Sequence, residues 1–384
     1  MVNGNDGYLK GFLENRFWRV MARTSTVALV GALVFVGGVK APAQTSARSA
    51  APAPPGRLID IGGYRLHLYC VGQGSPTVVL LHGFGDYSFD WSLVQAAVAR
   101  ETRVCAYDRA GQAWSDPGPA PRGLQRITDE LQALLARAGE AGPFVLVGQS
   151  WGGLIPRLFV RQHRAEVAGV VLVDASHEDM WMWLNGVTVQ PRLASAEEWE
   201  RIHRPRARTG PPVSSGSSGE PPRASPSASG PGSGHARSSV PDTSVPRLEP
   251  PYNALPLEAQ RWHVWARMLP PAFTGGDWAD IRVDLIATHE SRAGRLHPFD
   301  SLPTLVLSAG RDSYEDEREA SAAVQQAQHE RGQADLATLS TNSRLVIATN
   351  SGHHIHLDEP DLVVEAIRQV VYAARTRRPL CCQP

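Results

Sequence analysis

The chain has 384 residues, 42% of them hydrophobic, so it can build a large core and is not disordered throughout. Its 38 Lys and Arg balance its 38 Asp and Glu, and without a basic excess we expect no general binding to nucleic acid. The four cysteines (Cys70, Cys105, Cys381 and Cys382) lack the spacing of metal ligands, so the sequence predicts neither a zinc site nor a disulfide framework.

The N-terminal segment has the pattern of a targeting sequence. Residues 1–23 carry four basic and two acidic residues, and residues 24–39 are uncharged. Lys40 and an Ala-Pro-Ala triplet follow. A basic start, an apolar run and a small-residue end predict either a cleaved export signal or an uncleaved membrane anchor. We therefore expect the protein to be exported, or to be held at a membrane through residues 24–39, with residues 41–56 as an Ala/Pro-rich tether.

From residue 57 onward, predicted strands alternate with predicted helices. Near-continuous Val/Leu strands that alternate with amphipathic helices predict an α/β protein with a mostly parallel central sheet and helices on both faces. The predicted strands lie in residues 57–71 (two strands around Gly62-Gly63), 77–81, 102–107, 144–147, 167–173, 304–308 and 344–349. The predicted helices are 90–100, 128–138, 151–163, a stretch that ends near 337, and one from 360 onward.

The alternation stops after Asp174 and resumes near residue 301. We therefore divide the core into residues 57–175 and 301–375, with an insertion at 176–300 and a tail at 376–384. Within the insertion, residues 204–251 contain 11 Pro, 6 Gly and 11 Ser and no aromatic residue. Such a composition cannot bury enough apolar surface to offset the entropy of ordering, so this tract is predicted to be disordered.

The pentapeptide Gly148-Gln149-Ser150-Trp151-Gly152 fits the pattern G-x-S-x-G and lies between a predicted strand and a predicted helix. The flanking glycines allow a sharp turn that raises the serine hydroxyl above the sheet, so Ser150 is the candidate nucleophile. The backbone N–H groups of Trp151 and of Phe84, in the loop after an earlier strand, are candidates for holding an oxyanion.

Together, four motifs resemble the α/β-hydrolase superfamily over roughly half of the chain. They are His82-Gly83-Phe84-Gly85, Tyr107-Asp108-Arg109-Ala110-Gly111 with Ser115, Gly148 to Gly153, and Ser351-Gly352-His353. The second departs from the family's turn at Gln112 to Trp114, and because that loop is structural in most members we assign it no chemistry. The resemblance implies an esterase-like serine hydrolase with a helical cap formed by the insertion.

The resemblance also indicates the remaining catalytic residues. His353 follows the last strand, as the family's histidine does, and is the candidate base. His354 and His356 are close competitors, and His356 resembles a second histidine that supports the loop. Asp312 falls where the family's usual acid lies, while Asp174 ends the preceding strand, a position that some members use. We favour Asp312 and keep Asp174 as the alternative.

The insertion holds six of the ten tryptophans (Trp181, Trp183, Trp199, Trp262, Trp265 and Trp278), which either line an apolar pocket or form the cap's own core. We expect hydrolysis of a small-to-medium hydrophobic ester or lactone, without a metal or other cofactor. Prolyl-aminopeptidase-like peptide hydrolysis, carbon–carbon bond hydrolysis and cofactor-free peroxidation use the same triad and stay open. A catalytically silent binding module is the alternative outside enzymes.

Overall fold

The computed structural model describes residues 51–184, 187–203, 248–269, 281–292, 294–311 and 322–380. The predicted targeting segment, most of the Pro/Gly/Ser tract and Asp312 lie outside these ranges. Within them, none of the helices combines the length and the hydrophobicity that a bilayer-spanning segment requires.

Eight strands of the described chain form one sheet. They are β1 (Arg57–Asp60), β2 (Arg65–Val71), β3 (Thr77–Leu81), β4 (Val104–Tyr107), β5 (Phe144–Gln149), β6 (Val167–Val173), β9 (Thr304–Ala309) and β10 (Ser343–Ala348), and a separate antiparallel hairpin joins β7 (Met182–Leu184) to β8 (Val187–Val189). The order in the sheet is β1-β2-β4-β3-β5-β6-β9-β10. Strands β1 and β2 form an antiparallel hairpin around the predicted Gly62-Gly63 turn, β2 pairs with β4 antiparallel, and the remaining pairs are parallel, which confirms the mostly parallel sheet.

Helices cover both faces of this sheet, as predicted. The α-helices of the described residues are α1 (Ser92–Val98), α2 (Leu124–Ala138), α3 (Leu154–Gln162), α4 (Ala196–His203), α5 (Leu257–Arg267), α6 (Ile281–Arg292), α7 (Ala322–Leu336), α8 (Ile355–Asp358) and α9 (Pro360–Thr376). Apolar residues of α1 and α9 pack on one face, and those of α2 and α3 pack on the other. Each fully buried aliphatic side chain contributes about 1.5–3 kcal/mol, so these two layers account for most of the stabilisation of the sheet.

Helix α2 begins four residues before the predicted start at Thr128. The N–H of Leu124 donates a hydrogen bond to Asp284 Oδ1 of α6 at 2.6 Å. An acidic side chain therefore caps this helix from a distant part of the chain, and it satisfies a backbone donor that the helix itself leaves unpaired. Local sequence carries no sign of such a cap.

The expectation of no disulfide is wrong for one pair of cysteines. Cys70 of β2 and Cys105 of β4 are directly opposite each other in the antiparallel pair, and a disulfide joins them. Their Cα atoms are 4.0 Å apart, and opposed residues of neighbouring strands point to the same face of the sheet, so the two side chains meet. The spacing of the cysteines along the chain does not reveal this, because it depends on which strands pair and in which register.

The described tryptophans of the insertion divide between the two expected roles. Trp199 is buried in the main core, while Trp262 and Trp265 pack on Trp114 of the sheet domain with ring centroids 5.3 and 5.2 Å away. These three belong to packed apolar clusters. Trp181 is 44% exposed and lines the cavity described below. The side chain of Trp183 and the whole of Trp278 lie outside the described residues.

Candidate active site

Ser150 stands on a sharp turn between β5 and α3. Its φ is +52°, a left-handed value that a non-glycine residue rarely adopts and that tight surroundings must enforce. The surroundings are tight because glycines let backbone segments touch. A Cβ on Gly148 would lie 2.6 Å from the carbonyl oxygen of Gly152, and one on Gly152 would lie 2.4 Å from that of His82. The predicted turn geometry around the candidate nucleophile is therefore present.

His353 lies in the loop between β10 and α8 and reaches Ser150 directly. Its Nε2 is 2.9 Å from Ser150 Oγ, within hydrogen-bond distance of the hydroxyl proton. The loop is held by the carboxylate of Asp358, which accepts a hydrogen bond from the Gly352 N–H at 2.9 Å. This geometry allows His353 to act as the base for the serine.

The neighbouring histidines have other contacts. His354 Nε2 lies 3.0 Å from the hydroxyl of Tyr252, and its ring meets that of His353 edge-on. His356 is buried with its ring 4.6 Å from that of Trp91, in agreement with a supporting role for the loop. Burial lowers the pKa of both imidazoles, so they stay neutral at physiological pH.

Asp174, the alternative acid, contacts His353 directly. Its Oδ2 accepts a hydrogen bond from His353 Nδ1 at 2.7 Å, and its side chain is fully buried at the end of β6. A neutral imidazole carries one N–H hydrogen, and the contact with the Asp174 carboxylate places it on Nδ1 of His353, which leaves Nε2 as the acceptor. Asp312, which the sequence favoured, lies outside the described residues. The geometry therefore favours the alternative, and we assign the acid to Asp174 in the proposal below.

Asp174 and His353 each stabilise the charged form of the other. Burial alone would raise the pKa of Asp174, but hydrogen bonds from His329 and His353 hold it below its usual value. Burial likewise opposes the charged form of His353, yet the hydrogen bond and the negative charge of Asp174 raise the pKa of its imidazole above the ordinary value. A basic imidazole beside a hydroxyl is the arrangement that activates a serine nucleophile.

The predicted oxyanion donors flank Ser150. Trp151 follows it in the chain, and the loop with Phe84 passes beside it, since a Cβ on Gly83 would lie 3.1 Å from Ser150 Cβ. Arg109 is buried and donates from Nη1 to the His82 carbonyl at 2.7 Å and from Nη2 to the Gly83 carbonyl at 2.9 Å.

This arginine is a residue that the sequence interpretation missed. The carbonyl of Gly83 and the N–H of Phe84 belong to one planar peptide group, so a donor that fixes the carbonyl also fixes the direction of that N–H. The guanidinium of Arg109 also lies over the ring of Trp151, 4.9 Å from its centroid. The sequence does contain one indication of this role: the arginine comes immediately after Asp108, at the end of a buried strand, and functional side chains of parallel sheets lie at strand ends.

Replacing Arg109 by methionine is expected to lower kcat for an activated ester by about tenfold to hundredfold, with a smaller change in KM. Loss of one oxyanion donor costs about a hundredfold to a thousandfold, and loosening such a donor costs less than removing it. Steady-state rates with p-nitrophenyl acetate measure the effect. The control is Arg344→Met, at an exposed position of β10. Equal kcat for the Arg109 variant and the wild type would remove Arg109 from this role.

A cavity of about 1000 Å³ opens onto Ser150 and His353. Met180 and Trp181 contribute apolar surface, while α7 contributes polar groups that include Gln325 and Gln328. The described walls are therefore mixed, and they are more polar than the tryptophan-lined pocket that the sequence suggested.

Beside the cavity, His177, Glu178 and Asp335 bring three potential metal-ligand atoms within 4.8 Å of one another. Both carboxylates are already paired with arginines: Glu178 with Arg157 at 2.6 Å and with Arg292 at 2.8 Å, and Asp335 with Arg292. Guanidinium groups neutralise these carboxylates and would repel a cation. We therefore assign no metal to this cluster.

Comparison with known proteins identifies the family. The sequence profile described as "Alpha/beta hydrolase family" matches residues 78–366. The uncharacterised protein YqjL of Bacillus subtilis is 24% identical over 303 residues, which cover 79% of this chain and 86% of YqjL. An uncharacterised protein of Schizosaccharomyces pombe is 33% identical over 152 residues, which cover 32% of this chain and 28% of that protein. The chain spans about a quarter of the length of the first curated relatives that it matches.

Among solved structures, a thermophilic esterase from Thermogutta terrifontis superposes with a TM-score of 0.51 at 21% identity, covering 81% of this chain and 94% of the esterase. At this identity the similarity shows the fold alone. The profile, in contrast, extends over most of the chain and spans both parts of the core and the insertion between them. The chain therefore belongs to the alpha/beta hydrolase family.

Proposed function

We propose that the protein is a serine hydrolase of carboxylic esters or lactones, with Ser150 as nucleophile, His353 as base and Asp174 as acid. The observation that carries the proposal is the continuous hydrogen-bonded series of these three side chains, with contacts of 2.9 and 2.7 Å. The backbone N–H groups of Phe84 and Trp151 are the proposed oxyanion donors. These groups complete the reaction without a cofactor.

In the first half of the reaction, Ser150 Oγ attacks the ester carbonyl carbon while its proton moves to His353 Nε2. The carbonyl oxygen becomes an oxyanion beside the Phe84 and Trp151 N–H groups. As the intermediate collapses, the bond to the leaving alcohol breaks and the alcohol oxygen takes the proton from Nε2. An acyl-serine remains.

In the second half, water attacks the acyl carbon and gives a proton to His353 Nε2. Collapse of the second intermediate breaks the bond to Ser150 Oγ, which recovers its proton from Nε2, and the carboxylic acid leaves. Asp174 keeps the hydrogen of His353 on Nδ1 throughout, so Nε2 is free to accept a proton in each half-reaction.

The cavity supports a substrate of small to medium size. Met180 and Trp181 would contact its hydrophobic part, and the amides of Gln325 and Gln328 are available to a polar part. Epoxide and haloalkane hydrolysis in this family proceed through a carboxylate nucleophile, and a serine at position 150 disfavours both. Peptide and carbon–carbon bond hydrolysis share the proposed triad, so the test below includes a peptide-like substrate.

A fluorophosphonate probe tests the nucleophile. We expect the probe to label the wild type and the labelling to be lost in Ser150→Ala, because only an activated serine attacks phosphorus. The matched control is Ser301→Ala, an exposed serine at the opposite end of β9 from the site, which should label like the wild type. Folded wild-type protein that takes no label would refute the proposal and favour the binding module.

The leaving group is tested with p-nitrophenyl esters of graded acyl length and with proline p-nitroanilide. Turnover of the esters, with the best rate at a short or intermediate acyl chain, is the expected result. Preferential turnover of the anilide would transfer the function to peptide hydrolysis.

A further inference from the structure

Two histidines form hydrogen bonds with the carboxylate of Asp174. Besides His353 on Oδ2, its Oδ1 lies 2.9 Å from Nε2 of His329, a residue of α7. The N–H of Ala309 donates to the same oxygen at 2.8 Å. The carboxylate therefore has three donors, and each oxygen faces a different imidazole.

The chemistry of the contact determines which atom carries the hydrogen. The pKa of Asp174 is held below its usual value, so the carboxylate is ionised and has no hydrogen to donate. Nε2 of His329 must therefore be the donor. This atom also lies 3.4 Å from Ser308 Oγ at the end of β9. The side chain of His329 is 9% exposed and that of Asp174 is fully buried, so little water competes for this contact.

The contact also connects the acid to the substrate cavity. His329 lines that cavity together with Gln325, Gln328 and Gly332 of the same helix. These residues are three or four positions apart and so share one face of α7. The helix that forms a wall of the cavity thus also holds the carboxylate that orients the base.

We propose that His329 is a positioning residue for catalysis: its Nε2–H fixes Oδ1 of Asp174, so that Oδ2 stays directed at His353 Nδ1. The proposal rests on the proposed function, because it requires His353 to be the base. Without His329, the Ala309 N–H is the donor to Oδ1 that remains among the described residues, and the carboxylate can turn away from His353. Reorientation by a fraction of an ångström is enough to slow a proton transfer.

Removal of His329 also changes the contact that sets the pKa of His353. The hydrogen bond from His353 to Asp174 raises the pKa of the imidazole, so a carboxylate that turns away from His353 raises it less. Among the described residues, the other groups that face His353 are Asp86, whose charge also raises its pKa, and the ring of His354, 5.3 Å away. Both remain in the variant, so the pKa of His353 should fall toward its ordinary value.

The experiment compares His329→Leu, His329→Gln and the wild type. In the leucine variant we expect kcat for p-nitrophenyl acetate to fall by about tenfold to hundredfold at the pH optimum, with little change in KM. The acidic limb of kcat/KM should move to lower pH, because His353 must be neutral to act and its pKa falls when the contact with Asp174 weakens. Glutamine keeps an N–H donor and should restore kcat to within about threefold of the wild type. Gln326→Leu, on the same helix and hydrogen-bonded to Glu330, is the matched control.

Unchanged kcat and an unmoved acidic limb in folded His329→Leu would overturn the proposal. So would a glutamine variant as impaired as the leucine variant. If the leucine variant does not fold, His329→Asn replaces it, because its amide is too short to reach Asp174. Labelling of wild-type Ser150 by the fluorophosphonate is measured in parallel. Failure of that labelling refutes the hydrolase proposal itself, whereas normal labelling with unaffected His329 variants refutes only the role of His329.

Discussion

Replacing Asp174 by asparagine is expected to lower kcat by about 10³–10⁴ while the protein stays folded. The amide turns its NH₂ group or its oxygen toward His353, and neither choice reproduces a buried negative charge. With the NH₂ group facing it, Nδ1 becomes the acceptor and the hydrogen moves to Nε2, where it blocks transfer of the Ser150 proton. The residual activity should show its acidic limb at lower pH, because the charge that raises the pKa of His353 has been removed.

Steady-state kinetics on Asp174→Asn and Asp312→Asn decide between the two acids. Asp312→Asn is the comparison and should keep kcat within about threefold of the wild type, because the proposed acid is Asp174. A large loss in the Asp312 variant beside a small loss in the Asp174 variant would return the role to Asp312.

Replacing Arg157 by methionine is expected to cost about 3–5 kcal/mol of unfolding free energy. Arg157 of α3 donates to Glu178 at 2.6 Å, and both side chains are 1% exposed. Without Arg157, Glu178 keeps Arg292 but loses the partner that lies deepest in the protein. Leaving a buried charge short of a partner is among the most costly single changes.

Urea denaturation at neutral pH measures this cost. The double variant Arg157→Met/Glu178→Gln removes both charges and should be more stable than the single variant. Arg368→Met is the exposed comparison, because Arg368 and Glu101 are 51% and 37% exposed, and it should cost less than about 1 kcal/mol. A loss of the same small size in Arg157→Met would show that the buried pair contributes no more than a surface pair.

The same pair gives stability a pH dependence. Burial alone would raise the pKa of Glu178, but Arg157, His177 and Arg292 lower it to about 2. A carboxyl group whose pKa is lower in the folded state than in the unfolded state stabilises the fold at any pH above its unfolded-state pKa. This contribution is lost as the pH falls toward 2, the pKa of Glu178 in the folded state. The difference between the wild type and Arg157→Met should therefore shrink in acid.

Features written in short stretches of sequence were predictable, and features that depend on distant contacts were not. The G-x-S-x-G pattern predicted Ser150 and the position after the last strand predicted His353, and the structure brings the two side chains within 2.9 Å, because strand ends place these residues at one edge of the sheet. The acid was ambiguous because Asp174 and Asp312 each follow a strand, and only the three-dimensional contact with His353 favours one of them.

The same distinction explains the other differences. The disulfide required knowing that β2 pairs with β4 in one register. The roles of Arg109 and His329 depend on hydrogen bonds to groups 27 and 155 residues earlier in the chain, which no periodicity reveals. The number of tryptophans in the insertion is the same whether they line a pocket or fill a core, so only the structure distinguishes the two roles.

The position of the proposed acid at the end of β6 has a consequence for the biosynthesis of this protein. Ser150, the loop with Phe84 and Asp174 all leave the ribosome before the insertion is translated. His353 follows only after the insertion, β9 and β10. Under the proposed mechanism, a nascent chain that ends after β6 therefore contains the nucleophile, the oxyanion loop and the acid but not the base. Translation products that end before residue 353 are expected to carry no serine activated by this histidine.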